Sequence, residues 1–272
     1  MSEVHVDEAS PHPALADSSP HIVCLPWFGM TRQAMATAFQ PAFAGFGLRT
    51  AHLDLPGHGD SPVSCPPDSQ SVLETVCSWL ERHTATPVML AGASYGAYLA
   101  AGIARQRPEL VRGLLLVCPG VRMVRKHRDL PGSPPAAAPT GWLSGTPTEW
   151  HEHFESALGN RTPAVAAAVM EALRLGGAGD EEFRRKLQTG PAYSLPDEAA
   201  ESRFAGPVSV LAGRQDGVVG YADQFHAMRN YPRGTFAVLD ETGHYLPFEQ
   251  PAALRALAQD WLRRANAARP GL

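Results

Sequence analysis

A serine between two glycines is the clearest candidate for covalent chemistry in this chain. The segment Gly92-Ala-Ser94-Tyr-Gly96 follows the short apolar run 88–91 and precedes a predicted helix over 95–106. At such a strand-to-helix turn the serine hydroxyl projects above the sheet, and the residues two positions away on either side must be small for strand and helix to pass closely. Gly92 and Gly96 meet that demand. We therefore predict that Ser94 is a nucleophile.

A serine nucleophile needs a base, and an imidazole base needs an acid that fixes its tautomer. The chain offers both after later apolar runs that are typical of strands. Asp216 follows the run 208–212 by four residues, and His244 follows the run 235–239 by five residues. Because the strands of a parallel sheet leave at the same edge, we expect Ser94, Asp216 and His244 to converge there.

Rival residues exist for both the base and the acid. Four other histidines are interpreted as surface or packing residues: His52, His58, His151 and His153. Asp240 and Glu241 lie too close to His244 in sequence to approach the far nitrogen of its ring easily. No acid follows the apolar run 113–118, where Pro119-Gly120 stands. Asp216 is therefore the favoured acid.

A tetrahedral intermediate on Ser94 needs N–H donors aimed at its oxygen. The first candidate donor is the backbone N–H of Tyr95, at the start of the predicted helix. The second should come from the loop after the first predicted strand, 22–25; there Phe28 is our choice and Trp27 the alternative. The side chains of Trp27 and Phe28 could instead only line the pocket.

The alternation of predicted strands and helices stops at about residue 121 and resumes at about 206. Prolines interrupt the first part of this stretch, and helix-like segments follow without any strand pattern. We expect a helical cap over 121–205, inserted into a core formed by 21–120 and 206–272. Four aromatic residues are predicted to line a substrate pocket: Trp27, Trp142, Trp150 and Phe154. For those in the cap, the alternative is that they pack the cap onto the core.

A basic cluster opens the predicted cap: Arg122, Arg125, Lys126 and Arg128. It could contact an acidic carrier protein or an anionic substrate. A cluster of this kind is otherwise a solvated surface.

Composition and charge narrow the class of protein. The chain has 272 residues, 44% of them hydrophobic and 18% charged, which is ordinary for a globular enzyme. A net charge of −4 argues against a general nucleic-acid binder. The four cysteines have no paired or metal-like spacing, which favours free thiols in a reducing compartment. We expect neither a metal ion nor an organic cofactor.

The first 20 residues are polar and contain three prolines, so we expect a disordered leader over 1–20. This segment has neither the basic start nor the apolar core of a signal peptide. No apolar run in the chain is long enough to span a bilayer. The sequence thus predicts a cytoplasmic protein without a membrane helix.

From residue 21 to residue 265 the chain resembles the serine-dependent α/β-hydrolases. Four motifs carry the resemblance: Gly92-Ala-Ser94-Tyr-Gly96, Asp54-Leu-Pro-Gly-His-Gly-Asp-Ser61, Gly213-Arg-Gln-Asp216 and Gly243-His244. It implies a mostly parallel central sheet with helices on both faces. The chain begins too late for the family's first two strands, so about six strands are expected. Pro26-Trp27 stands where many members carry His-Gly.

Several functions remain open on sequence alone. The leading hypothesis is a serine hydrolase that cleaves a carboxylic ester or lactone of a small, largely apolar metabolite through an acyl-enzyme on Ser94. A thioesterase or a carbon–carbon bond hydrolase would use the same triad, and a lyase or acyltransferase could use the same site. A protein of another class, a ligand-binding or regulatory member of the fold, would show slow turnover or none.

Overall fold

Short apolar runs form the centre of the molecule, because residues buried on both faces of a parallel sheet are apolar almost without interruption. The computed structural model describes residues 4–9, 21–132 and 138–267. Within these residues, seven strands form one sheet: β1 (Val6–Ala9), β2 (Ile22–Leu25), β3 (Thr50–Leu53), β4 (Val88–Ala93), β5 (Val111–Val117), β6 (Val208–Gly213) and β7 (Gly234–Leu239). Their spatial order is β1-β3-β2-β4-β5-β6-β7.

Strands β2 to β7 are mutually parallel, as the sequence predicted for about six strands. The seventh strand, β1, pairs antiparallel with β3, Val6 lying opposite Leu53. The expectation of a disordered leader over 1–20 is therefore wrong at Val6–Ala9, because backbone hydrogen bonds to the edge of the sheet hold this polar segment. Residues 1–3 and 10–20 of the expected leader lie outside the described residues.

Helices cover both faces of the sheet. The described residues contain α1 (Arg32–Phe43), α2 (Ser69–His83), α3 (Tyr95–Gln106), α4 (His151–Ala157), α5 (Pro163–Arg174), α6 (Glu181–Thr189), α7 (Ala222–Ala227), α8 (Leu246–Glu249) and α9 (Pro251–Ala267). Alternate residues of β2 face opposite sides, with Cys24 in the core under α1 and α9 and Val23 in the core under α2 and α3. Among the described residues, no helix combines the length and apolar character needed to cross a membrane.

Polar caps begin several of these helices where the sequence changes from loop to amphipathic pattern. The Asp68 carboxylate accepts a hydrogen bond from the backbone N–H of Ser71 at 2.7 Å, at the start of α2. The Asp180 carboxylate accepts from Phe183 N–H at 2.7 Å, at the start of α6. Such caps satisfy N–H groups that have no partner within the helix.

Helices are the main regular elements of the described chain between β5 and β6. It contains α4, α5 and α6, and no strand occurs in the part of it that the structure describes. This segment, residues 121–205, is called the insertion below. The Asp197 carboxylate, in the insertion, forms a two-point ion pair with Arg105 of α3 at 2.7 and 2.8 Å. This ion pair links the insertion to α3, a helix that packs against the sheet.

Candidate active site

Ser94 lies at a sharp turn between β4 and α3. Its backbone has φ 52° and ψ −114°, in the left-handed region that is strained for a residue with a side chain. A Cβ added at Gly92 would lie 2.6 Å from Cα of Ala97, and one added at Gly96 would overlap the carbonyl oxygen of Leu25. The two glycines therefore allow the strand and the helix to approach closely enough to form this turn.

The structure brings Ser94, His244 and Asp216 together. Nε2 of His244 lies 2.8 Å from Oγ of Ser94, and Nδ1 of His244 lies 2.9 Å from Oδ2 of Asp216. An ionised carboxylate only accepts hydrogen bonds, so Nδ1–H of His244 donates to Asp216 and Nε2 is free to accept from the Ser94 hydroxyl. In this tautomer the imidazole can act as a general base toward the hydroxyl.

Backbone groups hold the Asp216 carboxylate in place. Its Oδ1 accepts hydrogen bonds from the N–H groups of Val218 at 2.8 Å and Val219 at 3.0 Å. Asp216 is fully buried. One oxygen is thus satisfied by the turn after β6, and the other faces the imidazole.

The loop that carries His244 is held by Glu249, a residue that the sequence reasoning missed. The buried Glu249 carboxylate accepts hydrogen bonds at 2.7 to 3.1 Å from the backbone N–H groups of Gly159, Asn160, Gly243 and Tyr245. Burial raises the pKa of Glu249 to about 7, although the N–H donors of Asn160, Gly243 and Gly159 act in the opposite direction. No local sequence pattern predicts the hydrogen bond from Gly159 to Glu249, since the two residues lie far apart in sequence.

A cavity of about 160 Å³ opens beside Ser94 and His244. The core side contributes mainly apolar and aromatic groups, which are Trp27, Phe28, Tyr95, Val218, Val219 and Tyr245. The insertion contributes Met123, Arg128, His153, Gln188 and Tyr193. The wall of the cavity is therefore apolar near the core and carries polar groups on the side of the insertion.

Phe28 and Tyr95, predicted to supply the N–H donors for an oxyanion, both line this cavity. Their rings lie 5.5 Å apart in an edge-to-face contact. Tyr95 is the first residue of α3, where a backbone N–H has no acceptor within the helix. Trp27 also lines the cavity, and its Nε1–H donates to the carbonyl oxygen of His244 at 3.4 Å.

The other aromatic residues predicted to line the pocket lie elsewhere. Phe154 is fully buried in the hydrophobic core, with its ring 6.4 Å from the ring of Tyr245. Trp142 is buried in the same core, and Trp150 packs against it. The pocket assignment of Trp142, Trp150 and Phe154 is corrected accordingly: their apolar surface packs the insertion onto the core, which was the alternative interpretation.

One histidine that the sequence analysis set aside does line the cavity. Nε2 of His153 lies 2.9 Å from the phenolic oxygen of Tyr245. Burial, and next the proximity of His244, lowers the pKa of His153 to about 4. His153 is therefore neutral at physiological pH and presents a polar, uncharged group beside the reacting residues.

The four members of the predicted basic cluster occupy different environments. Arg122 forms an ion pair with Asp223 at 3.0 Å. Arg125 is exposed and lines a larger outer groove of about 790 Å³. Lys126 is exposed. Arg128 lines both the outer groove and the cavity at Ser94, so it is the member of the cluster that borders this cavity.

Across residues 4–9, 21–132 and 138–267, no three histidine, cysteine, aspartate or glutamate side chains are grouped so that they could hold a metal ion.

A parallel sheet that brings a serine, a histidine and an aspartate to the ends of its strands defines a class of hydrolases. The chain belongs to the alpha/beta hydrolase family, which matches residues 22–257. It is similar to the pimeloyl-[acyl-carrier protein] methyl ester esterase of Methylococcus capsulatus, at 27% identity over 77% of this chain and 72% of that protein. The protein of the same name from Neisseria meningitidis is 29% identical over 39% of this chain and only 32% of its own length.

Solved structures show the same fold. An alpha/beta superfamily hydrolase from Oenococcus oeni superposes with a TM-score of 0.82 at 25% sequence identity, covering 97% of this chain and 96% of that one. A thermophilic esterase from Thermogutta terrifontis gives a TM-score of 0.68 at 20% identity, covering 97% and 94%.

Proposed function

We propose that the protein is a serine hydrolase that cleaves a carboxylic ester or lactone of a small, largely apolar acyl compound. The observation that carries the proposal is the continuous pair of hydrogen bonds from Ser94 through His244 to Asp216, at 2.8 and 2.9 Å, beside a cavity. Family membership supports the same reaction class.

In the first half of the reaction, Nε2 of His244 removes the proton from Ser94 while Oγ forms a bond to the carbonyl carbon of the ester. The resulting oxyanion accepts hydrogen bonds from the backbone N–H groups of Tyr95 and Phe28. The carbon–oxygen bond to the alcohol then breaks, and the alcohol leaves with the proton held by His244. The product on the protein is an acyl ester of Ser94.

In the second half, His244 takes a proton from a water molecule as that water attacks the acyl carbon. The second tetrahedral intermediate collapses, Ser94 recovers its proton from His244, and the free carboxylic acid departs. Throughout the cycle Asp216 keeps Nδ1 of His244 protonated and stabilises the imidazolium.

The insertion over 121–205 acts in this proposal as a cap on a core formed by 21–120 and 206–272. Met123, His153 and Tyr193 of the insertion line the cavity at Ser94, which supports this role. The small volume and the apolar core-side wall favour a short acyl chain.

A carrier-linked ester is a second candidate substrate. The relatives from Methylococcus capsulatus and Neisseria meningitidis are named for an ester attached to an acyl-carrier protein. In this chain the outer groove and the exposed Arg125 and Lys126 would face such an acidic partner. Free small-molecule esters and carrier-linked esters would share the same reacting groups.

The test compares wild-type protein with Ser94→Ala on p-nitrophenyl esters of graded chain length. We expect turnover by the wild type, best for short acyl chains, and background release by Ser94→Ala. A fluorophosphonate probe should add its mass to the wild type and not to the variant. Equal turnover by both proteins would refute the proposal, and a wild type that neither turns over nor labels would favour a ligand-binding role.

A further inference from the structure

The cavity beside Ser94 contains a half-buried positive charge on Arg128. Its guanidinium donates to three backbone carbonyl oxygens: Nε to Arg122 at 2.8 Å, Nη1 to Val218 at 2.7 Å and Nη2 to Met123 at 2.6 Å. A guanidinium has about five N–H groups. Three bonds leave one free N–H on each terminal nitrogen, so Arg128 is fixed in place and still has donors to offer.

No carboxylate in the described part of the chain forms an ion pair with Arg128. The neighbouring arginines differ, since Arg122 is paired with Asp223 and Arg105 with Asp197. Carbonyl dipoles orient the Arg128 guanidinium but do not cancel its charge. Burial lowers the pKa of Arg128, which reflects the cost of removing this cation from water.

Two further donors line the cavity on the same side. Gln188 has a side-chain amide, and Tyr193 has a phenolic hydroxyl. Burial raises the pKa of Tyr193, so its hydroxyl keeps the proton that it can donate. A cation together with neutral donors around one space suits a negatively charged ligand group.

We propose that Arg128 forms a subsite for a carboxylate or phosphate at the end of the substrate remote from the scissile ester. The inference rests on the proposed hydrolase function and specifies its substrate class. Trp27, Val218 and Tyr245 would contact the apolar chain between the ester and the anion. Because Arg128 also lines the outer groove, the anion would lie where the cavity opens.

The test uses methyl esters of equal chain length that end in a carboxylate, a phosphate or a neutral second methyl ester. Methanol release gives kcat/KM for the wild type, Arg128→Gln and Arg128→Lys. Arg185→Gln serves as the control, because it removes the same charge from an exposed position on the insertion.

We expect the wild type to prefer a charged ester over the neutral one. Arg128→Gln should lower the ratio of charged to neutral kcat/KM by roughly tenfold or more, since hydrogen bonds to charged groups are the strong ones. Arg128→Lys should restore part of the ratio, and Arg185→Gln should leave it unchanged. The anion whose ester loses more of its kcat/KM advantage in Arg128→Gln, carboxylate or phosphate, is the one that the subsite prefers.

An equal fall in kcat/KM for charged and neutral esters in Arg128→Gln would overturn the inference, because it would mean that Arg128 only holds the loop. A wild type with no preference for a charged ester would also overturn it. If the wild type hydrolyses none of the esters, the proposed function fails instead. In that case, calorimetric titration with the charged and neutral esters tests the subsite without turnover, using Ser94→Ala and the double variant Ser94→Ala, Arg128→Gln. The subsite is supported if Ser94→Ala binds the charged ester more tightly than the neutral one and the double variant does not. It is refuted if Ser94→Ala binds the two esters equally.

Discussion

Both carboxylate oxygens of Glu249 lie 2.9 Å from the backbone nitrogen of Gly243, the residue before His244. The same carboxylate accepts a hydrogen bond at 2.7 Å from the N–H of Gly159, in the turn that follows α4. One buried side chain therefore joins the loop of the proposed base to the insertion. The position of the imidazole should depend on a residue that does not touch substrate.

Replacing this carboxylate tests that dependence. In Glu249→Gln an amide NH₂ group would face backbone N–H donors, and leaving them unsatisfied costs roughly 1 to 3 kcal/mol of unfolding free energy. We expect this loss in urea denaturation at pH 5, below the raised pKa of Glu249, together with a lower kcat in the remaining folded protein. Glu171→Gln, on an exposed face of α5, is the matched control. If Glu249→Gln kept the stability and the kcat of the wild type, the positioning role would be contradicted.

The raised pKa of Glu249 also predicts how stability changes with pH. Its ordinary value is 4.5, and burial raises the folded-state pKa to about 7. Between these two values the folded state holds a proton that the unfolded state has released. The stabilisation that this proton gives is present below about pH 4.5 and is lost as pH rises through about 7. Between pH 5 and pH 8, wild-type unfolding free energy should fall relative to Glu249→Gln, by on the order of 3 kcal/mol. Parallel pH profiles for the two proteins would exclude this titration.

The aspartate next to the base can be tested by an isosteric change. In Asp216→Asn the amide nitrogen cannot accept the Nδ1–H of His244, so the ring would favour the tautomer that carries its proton on Nε2. That nitrogen could then no longer accept from Ser94. We expect a loss of roughly 10⁴-fold in kcat, measured with a p-nitrophenyl ester, in a protein with an unchanged circular dichroism spectrum. A loss below tenfold would show that Asp216 does not set the tautomer.

The close approach of β4 and α3 gives a prediction about stability. A Cβ at Gly96 would overlap backbone carbonyl oxygens of β2 and the following loop, which cannot move aside as a flexible side chain could. Gly96→Ala should therefore lower the unfolding free energy by roughly 1 to 3 kcal/mol or more. Gly145→Ala is the control, because nothing lies within 4 Å of its added Cβ. Equal melting temperatures for the two variants would contradict the steric argument.

Much of the fold was predictable because apolar runs and amphipathic helices are local signals. The helix after Ser94 was predicted at its observed bounds, and the sequence also predicted helices without strands in the insertion. Ser94, Asp216 and His244 could be predicted to meet because parallel strands end at one edge of a sheet.

What the sequence did not reveal depends on contacts between distant segments. Strand β1 is polar and is held by backbone pairing with β3, which composition does not report. The four N–H groups around Glu249 come from two loops that only the fold brings together. Trp142 and Phe154 were assigned to the pocket because the local sequence around an aromatic residue does not show whether its ring packs in a core or lines a cavity.

His153 provides a last test, of a buried neutral imidazole beside the reacting one. Burial lowers its pKa from the ordinary 6.5 to about 4, so the stability associated with the neutral ring is present above 6.5 and is lost as pH falls through about 4. Wild-type unfolding free energy should therefore fall more steeply than that of His153→Gln between pH 6.5 and pH 4. The exposed His226→Gln variant should follow the wild type. Because His153 is neutral near neutral pH, the midpoint of the acid limb in the pH profile of kcat/KM should be the same in His153→Gln as in the wild type. A displaced midpoint would mean that His153 titrates during turnover.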